Sequence, residues 1–180
     1  MMKYSLIALV ALLFLVNSAS AQQGPTSVTP VSEVKWYSFE EGMKLAYKKH
    51  KFVIVDIYTD WCGWCKKMDN ETFRDPSIVS YLNENYVAIK LNAEGKDPIA
   101  YNGNIYTNPE PGKQRSTHQL AVTLAGSRLA YPTYIYLDSK GKSISSTQGY
   151  SQPEDLLPLL RYIGSNAYKT QTWKEFTGLK

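Results

Sequence analysis

Apolar positions change period several times along the chain, and each change marks an element. Val34-Lys35-Trp36-Tyr37 has the composition of a short strand. Phe39, Met43, Ala46 and Tyr47 then recur at helical spacing. Ser38 and Glu41 stand three apart in front of them, which predicts a capping box. This helix is expected to stop near His50, whose charge suits a helix C-terminus. Phe52 to Tyr58 is nearly all apolar and rich in β-branched residues, the pattern of a strand covered on both faces. Lys66 to Phe73 can continue a helix. Asp75-Pro76 breaks it and restarts another, with Pro in the first turn and Ile78, Val79 and Leu82 on its apolar face. Tyr86 to Leu91 is a further strand.

From Asn92 to Arg115 the periodicity dissolves into three Pro, three Gly and four Asn, too long a structureless stretch for an ordinary connection. Asn102-Gly103, between Ile99-Ala100-Tyr101 and Ile105-Tyr106, predicts a small hairpin there. The stretch reads as a surface excursion, with a partner-binding or lid element as the alternative. Ser116 to Leu124 suggests a short helix ended by Gly126, with His118 on its surface. Tyr131 to Leu137 is a strand with Pro132 near its start. It turns at 139–142 into a returning strand, Ile144 to Thr147, ended by Gly149. Pro153 to Tyr162 forms a closing helix, which Pro158 should kink or displace at its start. The order β-α-β-α-β then α-β-β-α predicts an α/β fold, a central mixed sheet flanked by helices and ending in a hairpin.

Length and composition limit the options. A chain of 180 residues, 43% of them hydrophobic, suits one domain with an ordinary core. The net charge of +4 comes without a long Lys/Arg run, which argues against nucleic acid as the main partner. The first residues stand apart. Lys3, the apolar run after Ser5 to Val16, and Ala19-Ser20-Ala21 fit a secretory signal over 1–21, cleaved near Gln22. An uncleaved anchor is the alternative, although the run is short for a span of roughly 20 residues. Residues 22–33 read as a flexible leader. No membrane span is expected after cleavage.

The chain has two cysteines, Cys62 and Cys65, in the stretch Asp60-Trp61-Cys62-Gly63-Trp64-Cys65-Lys66. Outside the cytosol disulfides persist, but a bridge across so small a loop constrains the unfolded chain very little. A zinc site would need more ligands than His50 and His118 provide. A redox pair fits better. Cys62 follows a buried strand and would open a helix, where free N–H groups and the helix dipole favour a thiolate. Only a thiolate attacks a disulfide. Cys62 is therefore the expected nucleophile. Cys65, one turn on and more buried, is the expected resolving thiol.

Two further features bear on this. Asp56 interrupts the apolar strand, and a buried carboxylate there would have a raised pKa suited to accepting the proton of Cys65. The alternative is a carboxylate that stays wet at a strand end. Pro132 opens a central strand, where Pro is unwelcome unless a bend is needed. A cis Tyr131-Pro132 bond would lay backbone beside the dithiol for an extended substrate to pair with.

The strand carrying Asp56, the W-C-G-W-C-K motif and the later Tyr131-Pro132-Thr133 before a hairpin and last helix together resemble the thioredoxin superfamily. The resemblance covers roughly Val34 to Tyr162. It is similar to exported thioredoxin-like thiol–disulfide proteins, among them the C-terminal periplasmic domain of the transmembrane thiol reductase that feeds disulfide isomerases and cytochrome c maturation. It implies a thioredoxin-like domain over 34–170 with a tail over 171–180. It also implies a redox-active Cys62–Cys65 disulfide, Asp56 as buried acid, a cis bond before Pro132, and Trp61 as a shield. Trp61, Gly63, Trp64, Tyr131 and Pro132 would contact substrate. It implies no bound cofactor or metal, protein disulfides as substrates, and a redox partner protein, a membrane thiol reductase being one candidate. Export to a bacterial periplasm follows from the signal, and a reductive role is favoured. Two departures stand out. Gly63-Trp64 replaces the Gly-Pro of thioredoxin, so the direction of exchange does not transfer, and the 92–115 insertion is longer. A non-catalytic binding module that presents the Tyr-rich insertion and Trp64 is the competing reading.

Overall fold

The computed structural model describes residues 33–126 and 129–178. The expected signal segment and all but the last residue of the leader lie outside the described residues. Five strands form the main sheet: β1 (Trp36–Tyr37), β2 (Phe52–Tyr58), β3 (Tyr86–Asn92), β6 (Thr133–Leu137) and β7 (Ser143–Gln148), in the order β1-β3-β2-β6-β7. β1 and β2 run parallel to β3. β6 runs antiparallel to β2, and β7 returns antiparallel to β6. This is the mixed sheet that the order of elements predicts.

Side chains alternate across a strand, and here the alternation divides two cores. Val53, Val55 and Ile57 face α1 (Phe39–Lys49) and α4 (Gln119–Ala125). Ile54 faces the opposite layer of α2 (Gly63–Asn70), α3 (Pro76–Asn85) and α5 (Pro153–Gly164). The parity puts Asp56 on that second side. Gly42 lets α1 settle on β3: a Cβ there would lie 2.4 Å from Ile89 Cγ1. α3 starts as its sequence predicts, with Pro76 in the first turn and Asp75 accepting from the N–H groups of Ser77 and Ile78.

Local details correct several expectations. No reciprocal capping box forms at α1: Ser38 Oγ donates directly to Glu41 Oε2 at 2.7 Å, so the two side chains satisfy each other instead of the helix end. His50 does terminate α1, in a left-handed conformation. α2 stops at Asn70, and a 3₁₀ turn over Thr72–Arg74 takes up the rest of the expected helix. α4 begins at Gln119, not Ser116. Ser116 is buried and its hydroxyl donates to Asn108, which holds it out of the helix. His118 is not a surface residue. It is fully buried and caps α4, its Nδ1 accepting from Leu120 N–H at 3.1 Å while Nε2 faces Asp97 O at 3.2 Å. α5 runs from Pro153 through Pro158, so its start is not displaced. Within 171–180, a helix α6 (Trp173–Thr177) is opened by a capping box between Thr172 and Glu175. The T-x-x-E spacing of those residues carries the signal that Ser38 and Glu41 only mimic.

The 92–115 insertion is ordered by its own contacts. β4 (Ile99–Tyr101) and β5 (Asn104–Tyr106) form the predicted hairpin, with Asn102 and Gly103 both at positive φ. Tyr101 packs edge-on against Phe39 and donates to Gly141 O. Asn108, buried, donates to Gly95 O and Ser116 O and closes the base of the loop.

Candidate active site

β2 ends at Tyr58, and the chain turns through Thr59 to Trp61 into α2. Cys62 is the N-cap of α2, its N–H donating to Thr59 O. Its Sγ accepts from Cys65 N–H at 3.0 Å, one of the N–H groups that a helix start leaves without a partner. Cys62 and Cys65 are joined by a disulfide. Both are buried, at 4% and 2% exposure, so burial does not separate their roles as the sequence suggested. Their positions on the helix differ: Cys62 is the N-cap, and the Cys65 N–H of the first turn is directed at its sulfur.

Asp56 is 1% exposed and lies at the centre of the sheet, in register with Lys90 on β3 and Tyr134 on β6. It is not a wet strand end. Burial pushes its pKa up to about 6, although the adjacent Lys90 ammonium pulls the other way. Lys90 Nζ lies 2.6 Å from Asp56 Oδ2 and 2.6 Å from Asp69 Oδ1. Asp69 sits four residues after Cys65 on α2, so the lysine ties the sheet to the helix that carries the dithiol. Burial disfavours the Lys90 charge, but the two carboxylates outweigh it and raise its pKa. The rings of Trp36 and Tyr58 flank the ammonium at 4.7 and 5.0 Å. Asp56 Oδ1 has no hydrogen-bond partner among the described residues and is the oxygen open to a proton.

The outer face of the site is aromatic. The Tyr131-Pro132 bond is cis. Tyr131 packs edge-on against Trp61, ring centroids 5.7 Å apart, and this brings the proline turn beside the dithiol motif. Trp61 Nε1–H donates to Glu94 Oε1 at 3.0 Å, and the same oxygen accepts from Arg115 N–H at 2.7 Å. Both ends of the insertion therefore meet at the site, while its hairpin reaches away along α1. Trp61 and Trp64 remain more than half exposed. Gly63 opens onto solvent, with no atom within 4 Å of where a Cβ would stand.

The thioredoxin-like domain family model matches residues 39–164, from the first helix to the last residue of α5. The chain belongs to the thioredoxin-like domain family. Among its relatives, it is 29% identical over 113 residues to the thiol:disulfide interchange protein DsbD of Photorhabdus laumondii, covering 63% of this chain and 16% of that protein. It is 25% identical over 178 residues to DsbD of Vibrio vulnificus strain YJ016, covering 91% of this chain and 26% of that protein. The chain thus spans about a quarter or less of the length of these relatives. A thioredoxin from Thermus thermophilus superposes with a TM-score of 0.54 at 18% identity, covering 73% of this chain and 87% of that one, a likeness of fold.

In this thioredoxin-like chain, Cys62, Cys65, Trp61, Gly63 and Trp64 share one turn, and Tyr131 with Pro132 reaches them through Trp61. Asp56 lies inside, on the sheet face that α2 covers. Sequence reasoning missed Lys90, Asp69 and Glu94. Lys90 had a visible signal, a charge inside the apolar run Tyr86 to Leu91. The other two depend on contacts between distant segments. Among the described residues, no group of three His, Cys, Asp or Glu side chains is arranged to hold a metal ion.

Proposed function

We propose that this chain is an exported thiol–disulfide oxidoreductase that reduces disulfides in periplasmic proteins. The observation that carries the reading is the Cys62 sulfur at the start of α2, accepting a helix N–H and paired with Cys65. In the reduced form that N–H and the helix dipole favour a thiolate on Cys62. The thiolate attacks one sulfur of a substrate disulfide. A bond forms between Cys62 and that sulfur, the substrate S–S bond breaks, and the released thiolate takes a proton from water. Cys65 then gives its proton to Asp56 and attacks the Cys62 sulfur. This forms the Cys62–Cys65 disulfide and releases the second substrate sulfur as a thiolate, which takes a proton from water. Two electrons pass from the dithiol to the substrate.

A dithiol on a redox partner protein returns the two electrons, and a membrane thiol reductase would suit. Support comes from the dithiol geometry, from the raised Asp56 pKa and from the likeness to one segment of much longer thiol:disulfide interchange proteins. The apolar run after Lys3, with Ala19-Ser20-Ala21, supports export.

The test is equilibration of the Cys62–Cys65 pair against glutathione or dithiothreitol, with insulin reduction by wild type and Cys62→Ser. A potential near about −270 mV and loss of activity in the variant support a reductant. A potential near about −120 mV would replace it with a disulfide donor. The absence of a reversible couple would overturn the enzyme reading.

A further inference from the structure

The dithiol is bracketed by two aromatic pairs, and only one of them involves the cis-proline turn. On one side Trp61 meets Tyr131. On the other, Trp64 meets Tyr150, ring centroids 5.7 Å apart and planes inclined at 41°. Tyr150 comes from the loop after β7. That loop is tied to the proline turn, because Gly149 N–H donates to Pro132 O at 2.8 Å. Each pair is fixed by a carboxylate. Glu94 holds Trp61, and Glu71 accepts from Tyr150 OH at 2.8 Å. Lys67 pairs with Glu71 and lies 5.1 Å over the Tyr150 ring, so the second pair is held from below as well.

The arrangement is more than a packing contact. Trp64 is 58% exposed although it stands between the two cysteines, where a substrate must approach. A free indole at such a position samples several rotamers, and fixing one costs entropy at the moment of binding. The Tyr150–Glu71–Lys67 set fixes it beforehand. What it presents is an apolar ring face, because the phenol OH of Tyr150 is turned to Glu71. Rigid aromatic surfaces of this kind recognise apolar side chains by burying their area, and they carry a large share of interface energy.

We propose that Tyr150 is a specificity-determining residue. It holds Trp64 as a wall that selects disulfide-bearing segments with an apolar side chain next to the attacked cysteine. The inference rests on the oxidoreductase reading. It commits to a substrate chemistry: a leucine-like neighbour is preferred over a serine-like one.

The test uses two disulfide peptides that differ only in Leu or Ser beside the cysteine. They are assayed with wild type, Tyr150→Ala and Tyr150→Phe, and the Cys62–Cys65 reduction potential is measured for each. Wild type should favour the Leu peptide by about tenfold in kcat/KM, the scale of one well-packed interface side chain. Tyr150→Ala should lose most of that preference through KM, with kcat holding. Tyr150→Phe keeps the ring and should keep most of the preference. Equal rates for both peptides in wild type, or a preference unchanged in Tyr150→Ala, overturns the inference. So does a fall in kcat for both peptides together, which marks a structural role. A reversible couple alongside any of these leaves the oxidoreductase reading standing, whereas its absence overturns both.

Discussion

Lys90 and Asp56 face each other in register across β3 and β2, with Nζ 2.6 Å from Oδ2. The pair explains how a carboxylate survives in the middle of a sheet. Its charge is opposed by burial and supported by one cation, and burial is the larger effect. The result is a carboxyl that changes protonation near pH 6, where proton exchange with a thiol is useful.

Asp56→Asn should stabilise the fold at neutral pH while slowing exchange. The folded pKa of about 6 lies above the ordinary carboxylate value, 3.8. The folded state therefore holds a proton that the unfolded chain has lost between those limits. This contribution is fully present below the unfolded value and is lost as pH rises through about 6. At pH 7 the Asn variant should be more stable by about 3 kcal/mol, from the size of the shift. Urea unfolding at pH 4 and pH 7 measures it. An unchanged difference between the two proteins at both values would show that Asp56 does not titrate in this window.

Lys90→Met should move the pH dependence of exchange upward. Lys90 lowers the Asp56 pKa, so removing it leaves burial unopposed. The carboxylate then forms only at higher pH, and the rate of insulin reduction at pH 7 should fall several-fold, the range of a general-base effect. A pH–rate profile from pH 5 to 9 reads the midpoint. A midpoint that stays where wild type has it would remove Lys90 from the proton path.

His118 should make the fold weaken in mild acid. Burial lowers its pKa, only partly offset by its contact with Asp97 O. The neutral ring caps α4 through Nδ1, which protonation would block. With the folded pKa below the unfolded one, its contribution is full above about pH 6.5 and is lost as pH falls toward the folded value. His118→Ala should cost about 1 kcal/mol at pH 7 from the lost cap alone. Its deficit should shrink at pH 5, because protonation of the imidazole there favours the unfolded wild-type chain. Thermal melts at the two pH values decide this. An equal deficit at both would place the cost in packing.

Much of the frame was legible along the chain because it is local. The Phe52–Tyr58 strand, the Asp75-Pro76 helix start and the Asn102-Gly103 hairpin each arise from neighbouring residues and their backbone preferences, and all three stand where the pattern puts them. Where a local motif failed, a competing partner explains it. Ser38 and Glu41 bonded each other in place of the helix end, and Ser116 was drawn out of α4 by Asn108.

By itself the sequence determined the order of elements, the dithiol at a helix start, and a carboxylate and a proline in positions costly enough to need a reason. These follow from spacing and from the expense of burying charge or breaking a strand. Only the tertiary structure decided what surrounds them. Lys90 reaches Asp56 and Asp69, Glu94 joins Trp61 to both ends of the insertion, and Tyr150 meets Trp64 from 86 residues away in the chain. Such contacts are set by strand register and by which loops share one end of the sheet. Neither quantity has a period that a single chain displays.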